Sequence, residues 1–84
     1  MSQACVPAIG DDLAEAIDDE LAIAQSKFPA FKSDHEGYAV ILEELDELWD
    51  AVKANNAKHA RAEAVQVAAM AIRFILDSER RQNG

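Results

Sequence analysis

Aromatic residues make up only 6% of this 84-residue chain, and prolines and glycines number two and three. So few aromatics exclude a bulky interior, and so few chain breakers exclude a turn-rich β architecture. A single cysteine, Cys5, excludes an internal disulfide and fits a reducing, cytoplasmic setting. No apolar run approaches the roughly 20 residues that span a bilayer. The opening MSQACVPAIG lacks the basic stretch of a signal peptide. Basic residues are half as numerous as acidic ones, 8 against 16, and the net charge is −8. That balance excludes nucleic-acid backbones and anionic membranes as direct partners. Nucleotides are not excluded, because their phosphates arrive already neutralised by magnesium.

What is abundant is alanine, at seventeen positions. An alanine-rich chain with interspersed Leu and Ile reads as all-α. The length allows one small domain, near the size at which a single core is marginal. Residues 1–10, with Pro7 and Gly10, read as a lead-in; 11–80 form the domain, and 81–84 a frayed tail.

Three helices are expected. Asp12 and Glu15 have capping-box spacing at the start of the first, and Leu13, Ile17, Leu21, Ala24 and Phe28 mark its apolar face. Pro29 ends it. The stretch PAFKSDHEG has the length of a functional loop between packed helices. A second capping box, Ser33 with Glu36, starts a helix from about Asp34 to Ala54, whose stripe is Ile41, Leu45, Leu48 and Val52, with Tyr38 and Trp49 flanking and Trp49 packed. Asn55 and Asn56 supply a turn, and a third helix follows from about Lys58 to Arg80.

The third helix is apolar nearly all round. Val67, Met70, Ala71 and Phe74 share one side, expected to face the protomer, while Val65, Ala68, Ala69, Ile72, Ile75 and Leu76 occupy most of the other. Two neighbouring helices in so short a chain cannot cover both sides. The fold expectation is a three-helix protomer of antiparallel helices, assembled into a helical-bundle homo-oligomer with the third helix packed on its own copy.

Three acids stand out against this background. With Ile41 at the centre of the second helix's stripe, Glu44 falls about 60° and Glu47 about 120° to the same side. Glu43, Asp46 and Asp50 fall on the far side, towards solvent. Glu63 lines up with Val67, Met70 and Phe74 on the third helix, with Gln66 one turn on. A lone ExxE on an acidic helix is ordinarily a solvated face. Here the pair borders apolar residues, and the third acid lies within an apolar stripe. Two antiparallel helices would gather Glu44, Glu47, Glu63 and the Gln66 amide around one point. Sheltered carboxylates repel unless a cation offsets them. Oxygen-only ligands select a hard ion, magnesium with manganese as the alternative, and such a site points to phosphate chemistry.

These residues carry a family likeness. HEGYAVILEELDELWDAVK, a short turn and EAVQVAAMAIRFILD resemble the MazG-like branch of the all-α nucleoside triphosphate pyrophosphatases. The pattern there is ExxE, a spacer, then ExxD. Glu44 to Glu47 supplies the first half and Glu63 to Gln66 the second, with glutamine where aspartate is usual. The resemblance covers residues 12–78. It implies a helical dimer or tetramer that binds Mg²⁺ and hydrolyses a nucleoside triphosphate to monophosphate and pyrophosphate, a house-cleaning reaction that clears non-standard or surplus nucleotides. By position it makes Glu44, Glu47 and Glu63 metal ligands and catalytic groups, with Gln66 a fourth ligand.

An amide carries no charge and accepts no proton, so Gln66 predicts weaker metal binding and slow or absent hydrolysis. Two alternatives therefore stand: a nucleotide- and metal-binding module of the same architecture, and a non-enzymatic helical interaction protein. Lys27, Lys32 and Arg73 are candidate cations for the triphosphate, beside Lys53, each competing with a plain surface role. His35 and His59 lack partners at metal spacing and read as surface or capping residues. Asp77 reads as one half of an ion pair with another helix.

Overall fold

The computed structural model describes residues 8–83, so Cys5 and most of the lead-in lie outside the described residues. Its elements are three helices: α1 (Asp11–Lys27), α2 (Asp34–Lys53) and α3 (Ala57–Asn83). Among the described residues no helix is long and apolar enough to cross a membrane.

The helix ends follow from local chemistry. The N-cap of α1 falls two residues ahead of the expected Asp12: Gly10, at φ 76°, takes that position, and no side chain caps it. Asp11 and Asp12 instead occupy the first turn, where carboxylates oppose the positive end of the helix dipole. At the other end Phe28 is extended, φ −127° and ψ 145°, as a residue before proline prefers. Ser33 caps α2, its Oγ accepting from the Glu36 N–H at 3.1 Å. The Glu36 carboxylate turns back to accept from the Lys32 N–H at 2.8 Å.

The link Ala54–Asn56 is equally determined. Asn55 takes φ 57°. The Asn55 N–H then donates to the Val52 carbonyl at 3.0 Å and the Asn56 N–H to the Ala51 carbonyl at 3.1 Å. This is the Schellman arrangement, which closes a helix by using its last carbonyls. Asn56 Oδ1 accepts from the His59 N–H at 3.0 Å, so the same short link opens α3.

α3 is the element on which both others pack. A small core of Ala24, Ala69 and Met70 is flanked by Ile17, Leu21, Val40 and Ile41. No large side chain among the described residues is fully buried. The inward line of α3 differs from the expected one: Val65, Ala69, Met70, Arg73 and Asp77 are buried, while Val67, Ala71 and Phe74 are half-buried. Two neighbours contacting α3 from different directions set this sector, which an apolar count on one wheel does not contain.

The second half of α3 also grips the α1–α2 connection. Arg73 Nη2 donates to the Pro29 carbonyl at 2.9 Å, and the Phe31 N–H donates to Asp77 Oδ2 at 2.9 Å. Arg81 Nη1 donates to the Phe31 carbonyl at 2.6 Å, and Arg81 also pairs with Asp34. Positions 73, 77 and 81 lie one turn apart on a single face. These anchors explain why α3 continues to Asn83 rather than ending near Arg80.

Gly37 completes the arrangement. A Cβ there would stand 2.6 Å from Phe74 Cδ2 and 3.1 Å from Phe31 Cδ2. Alanine would gain about 1 kcal/mol of helix propensity but overpack a site where crowding costs about 1–3 kcal/mol. Gly37→Ala is therefore expected to lower the melting temperature by a few degrees in a thermal melt; an unchanged or higher value contradicts this packing.

Candidate functional site

α2 presents Glu44 and Glu47 one turn apart, and α3 presents Glu63. Glu47 precedes the Ala54–Asn56 link by as many residues as Glu63 follows it, so the short link brings them to the same level of the packed pair. One carboxylate oxygen from each of Glu44, Glu47 and Glu63 lies within 4.8 Å of the other two. Glu44 and Glu63 are half-buried and Glu47 is exposed.

So much negative charge in so small a volume leaves a mark on Glu44. Its pKa is raised, first by burial, then by Glu47 and Glu63, and further by Glu43 and Glu20. Among the described residues, the one basic side chain within ion-pair distance of the three acids is His59, whose Nε2 lies 3.3 Å from Glu63 Oε2. His59 is exposed, as a surface residue should be, and borders the site.

The donor set fits a hard divalent cation. Two oxygens on one magnesium, each at about 2.1 Å, are separated by at most about 4.2 Å. The three carboxylates therefore need only rotamer adjustments to share an ion. Glu44, Glu47 and Glu63 would hold it, and waters would complete the shell, as is usual for magnesium.

Gln66 lines the same cleft as Glu44, and its Nε2 donates to Glu20 Oε2 on α1 at 2.7 Å. A carboxylate at position 66 would face Glu20 with like charge, so the amide is the residue this neighbour accommodates. Glu20 is a site residue that sequence reasoning missed. It is one of six acids on α1, and nothing in their spacing indicates which of them meets α3.

Two concavities adjoin the acids. A cleft of about 510 Å³ has Glu44, Gln66 and Glu20 along one part and Phe28, Met70 and Arg73 along another. Glu47 and Glu63, with His59 and Asn56, line a second hollow of about 390 Å³. The carboxylates thus stand between the two.

The candidate cations separate. Lys27 is exposed and lines the larger cleft. Lys32 lines a different depression, beside Ser78 and Arg81. Arg73 lines the cleft but is only 5% exposed. Its Nε is 3.9 Å from Asp77 Oδ2, so Asp77 pairs within its own helix. Lys53 lies 3.4 Å from Asp50 and 5.6 Å from the centre of the Trp49 ring. Trp49 itself is 57% exposed, against the expectation that it packs. His35 is exposed.

A carboxyl whose pKa is raised on folding opposes folding once ionised. Stability linked to Glu44 is intact below the ordinary glutamate range and is lost as pH rises through its raised value. Glu44→Gln should therefore raise the melting temperature of metal-free protein at pH 7 by a few degrees and flatten the melting curve's pH dependence above pH about 4.3, the ordinary glutamate value. A lower melting temperature at pH 7 would show that Glu44 is stabilised as an anion.

Compared with family models, curated proteins and solved structures, the chain matches none.

Proposed function

We propose that this chain binds Mg²⁺, or Mn²⁺, through Glu44, Glu47 and Glu63 and hydrolyses a nucleoside triphosphate to monophosphate and pyrophosphate. The observation that carries the reading is the convergence of three carboxylate oxygens from two helices within 4.8 Å, beside a cleft of nucleotide size. The sequence likeness to MazG-like pyrophosphatases names the reaction.

The chemistry follows from the residues. A divalent ion, when bound, neutralises the triphosphate and polarises the phosphorus under attack. Water adds to the α-phosphorus, the bond to the bridging oxygen breaks, and that oxygen leaves with pyrophosphate. A carboxylate of the triad takes the proton from the water.

A second reading rests on Gln66. Its amide is engaged by Glu20, leaving one carboxylate fewer than the ExxE…ExxD pattern would supply. A chain so equipped would bind the metal–nucleotide complex and turn it over slowly or not at all.

Self-association belongs to the same proposal. Tyr38, Leu42, Leu45, Trp49 and Val52 are each at least 41% exposed, and they recur at alternating steps of four and three along α2. That is the spacing of a helix–helix seam. Tyr38 also lines an apolar groove with Ile41, Ala71, Phe74 and Ile75, which joins the seam to α3. Ile72, Ile75 and Leu76 extend it there. We read this face as covered by a second copy in an antiparallel bundle, as a dimer or tetramer, with α2 contributing more than the expected third helix.

Two measurements test these readings. Pyrophosphate release from a panel of nucleoside triphosphates with Mg²⁺ should be detectable and should fall by at least about 100-fold in Glu44→Ala or Glu63→Ala. Release unaffected by both variants removes the proposed site. If release is absent but Mg²⁺ with nucleotide still raises the melting temperature, the binding-module reading holds. Light scattering should return a multiple of the 9.2 kDa protomer mass, and Leu45→Glu should reduce it; a wild-type monomer at micromolar concentration contradicts the assembly.

A further inference from the structure

The cleft has an end that the phosphate chemistry leaves unused. There the Arg73 guanidinium lies face-on to Phe31, its Cζ 3.9 Å from the ring centre, and 5.8 Å from the centre of the Phe28 ring. Arg73 was a candidate phosphate ligand, but its position argues otherwise. It stands ten residues beyond Glu63 on α3, about 15 Å along the helix axis. Its guanidinium engages Asp77, the Pro29 carbonyl and Met70 Sδ. A separation of this order along the helix suits the opposite end of a nucleotide whose phosphates the carboxylates hold.

The chemistry of this end is specific. A guanidinium carries five N–H donors and no acceptor. Among the described residues Arg73 donates to one carbonyl, that of Pro29 at 2.9 Å, and to Met70 Sδ at 3.7 Å, a weak acceptor. Asp77 Oδ2, 3.9 Å from Nε, is beyond hydrogen-bond distance and already accepts from the Phe31 N–H. A buried group with donors in excess favours a ligand that brings an acceptor and rejects one that brings a further donor. Phe31 is only 4% exposed, but Phe28 is 57% exposed on the cleft wall and offers a free ring face.

From this juxtaposition we infer that the Phe28–Arg73 end of the cleft is a nucleobase subsite selecting keto bases. Phe28 stacks on the ring, and Arg73 donates to a 6-oxo group of a purine or a 4-oxo group of a pyrimidine. The exocyclic amino group of adenine or cytosine would set donor against donor at the same point. The inference deepens the pyrophosphohydrolase reading, on which it rests for the orientation of the nucleotide.

The test is calorimetric titration of the wild-type protein, with Mg²⁺, by α,β-methylene analogues of GTP, ITP, UTP, ATP and CTP. GTP, ITP and UTP analogues should bind about tenfold more tightly than their amino counterparts, at the lower end of what a well-placed arginine contact discriminates. Phe28→Ala, at an exposed position, should weaken all five several-fold while preserving the order. Arg73→Lys should lose the order; if it fails to fold, the wild-type order and the Phe28→Ala result decide. Equal affinity for keto and amino bases, or tighter binding of the amino set, overturns the subsite. A panel hydrolysed without base preference sinks this inference alone, whereas no nucleotide binding at all sinks the pyrophosphohydrolase reading with it.

Discussion

Mutual repulsion among Glu44, Glu47 and Glu63 is the constraint on which the rest depends. Helix packing and a short Asn-Asn link force three carboxylates into one small volume, and the raised pKa of Glu44 records the cost. An arrangement that opposes folding persists when something else gains from it. A divalent cation would turn the liability into a site, because the same proximity that repels anions can chelate a metal. His59 stands beside Glu63, and the Gln66 amide donates to Glu20.

The rest of the protomer is organised around holding that geometry with little core. Ala24, Ala69 and Met70 form a small buried cluster, and small residues let the helices approach closely. Rigidity comes instead from polar contacts: Arg73, Asp77 and Arg81 on α3 fasten the connection between α1 and α2. Buried ionic groups of this kind contribute orientation more than net stability. Of these three, Arg73 also lines the cleft. An exposed apolar stripe of Tyr38, Leu42, Leu45, Trp49 and Val52 runs along α2.

Much of this was legible from residues and much was not. Ser33–Glu36 and Asn55–Asn56 act through chemistry confined to a few neighbours, which is why their turns were readable. The convergence of the three glutamates was also readable, because it depends on helix period and on a short link. Glu20, Arg73 and Trp49 were not. Glu20 matters only once α1 is placed against α3. Arg73 is buried because backbone carbonyls and aromatic rings of the connection surround it, and no helical wheel contains them. Trp49 was expected to pack, yet which flank of α2 is covered depends on where α3 lies against it, and a helical wheel does not contain that.

The most direct measurement is titration of Mg²⁺ into the protein by calorimetry in two buffers of different ionisation enthalpy. The account predicts saturable binding with release of protons that increases as the pH is lowered towards the raised pKa of Glu44, and loss of that release in Glu44→Gln. Absence of saturable binding, or binding with no proton release at any pH in the acidic range, would contradict it.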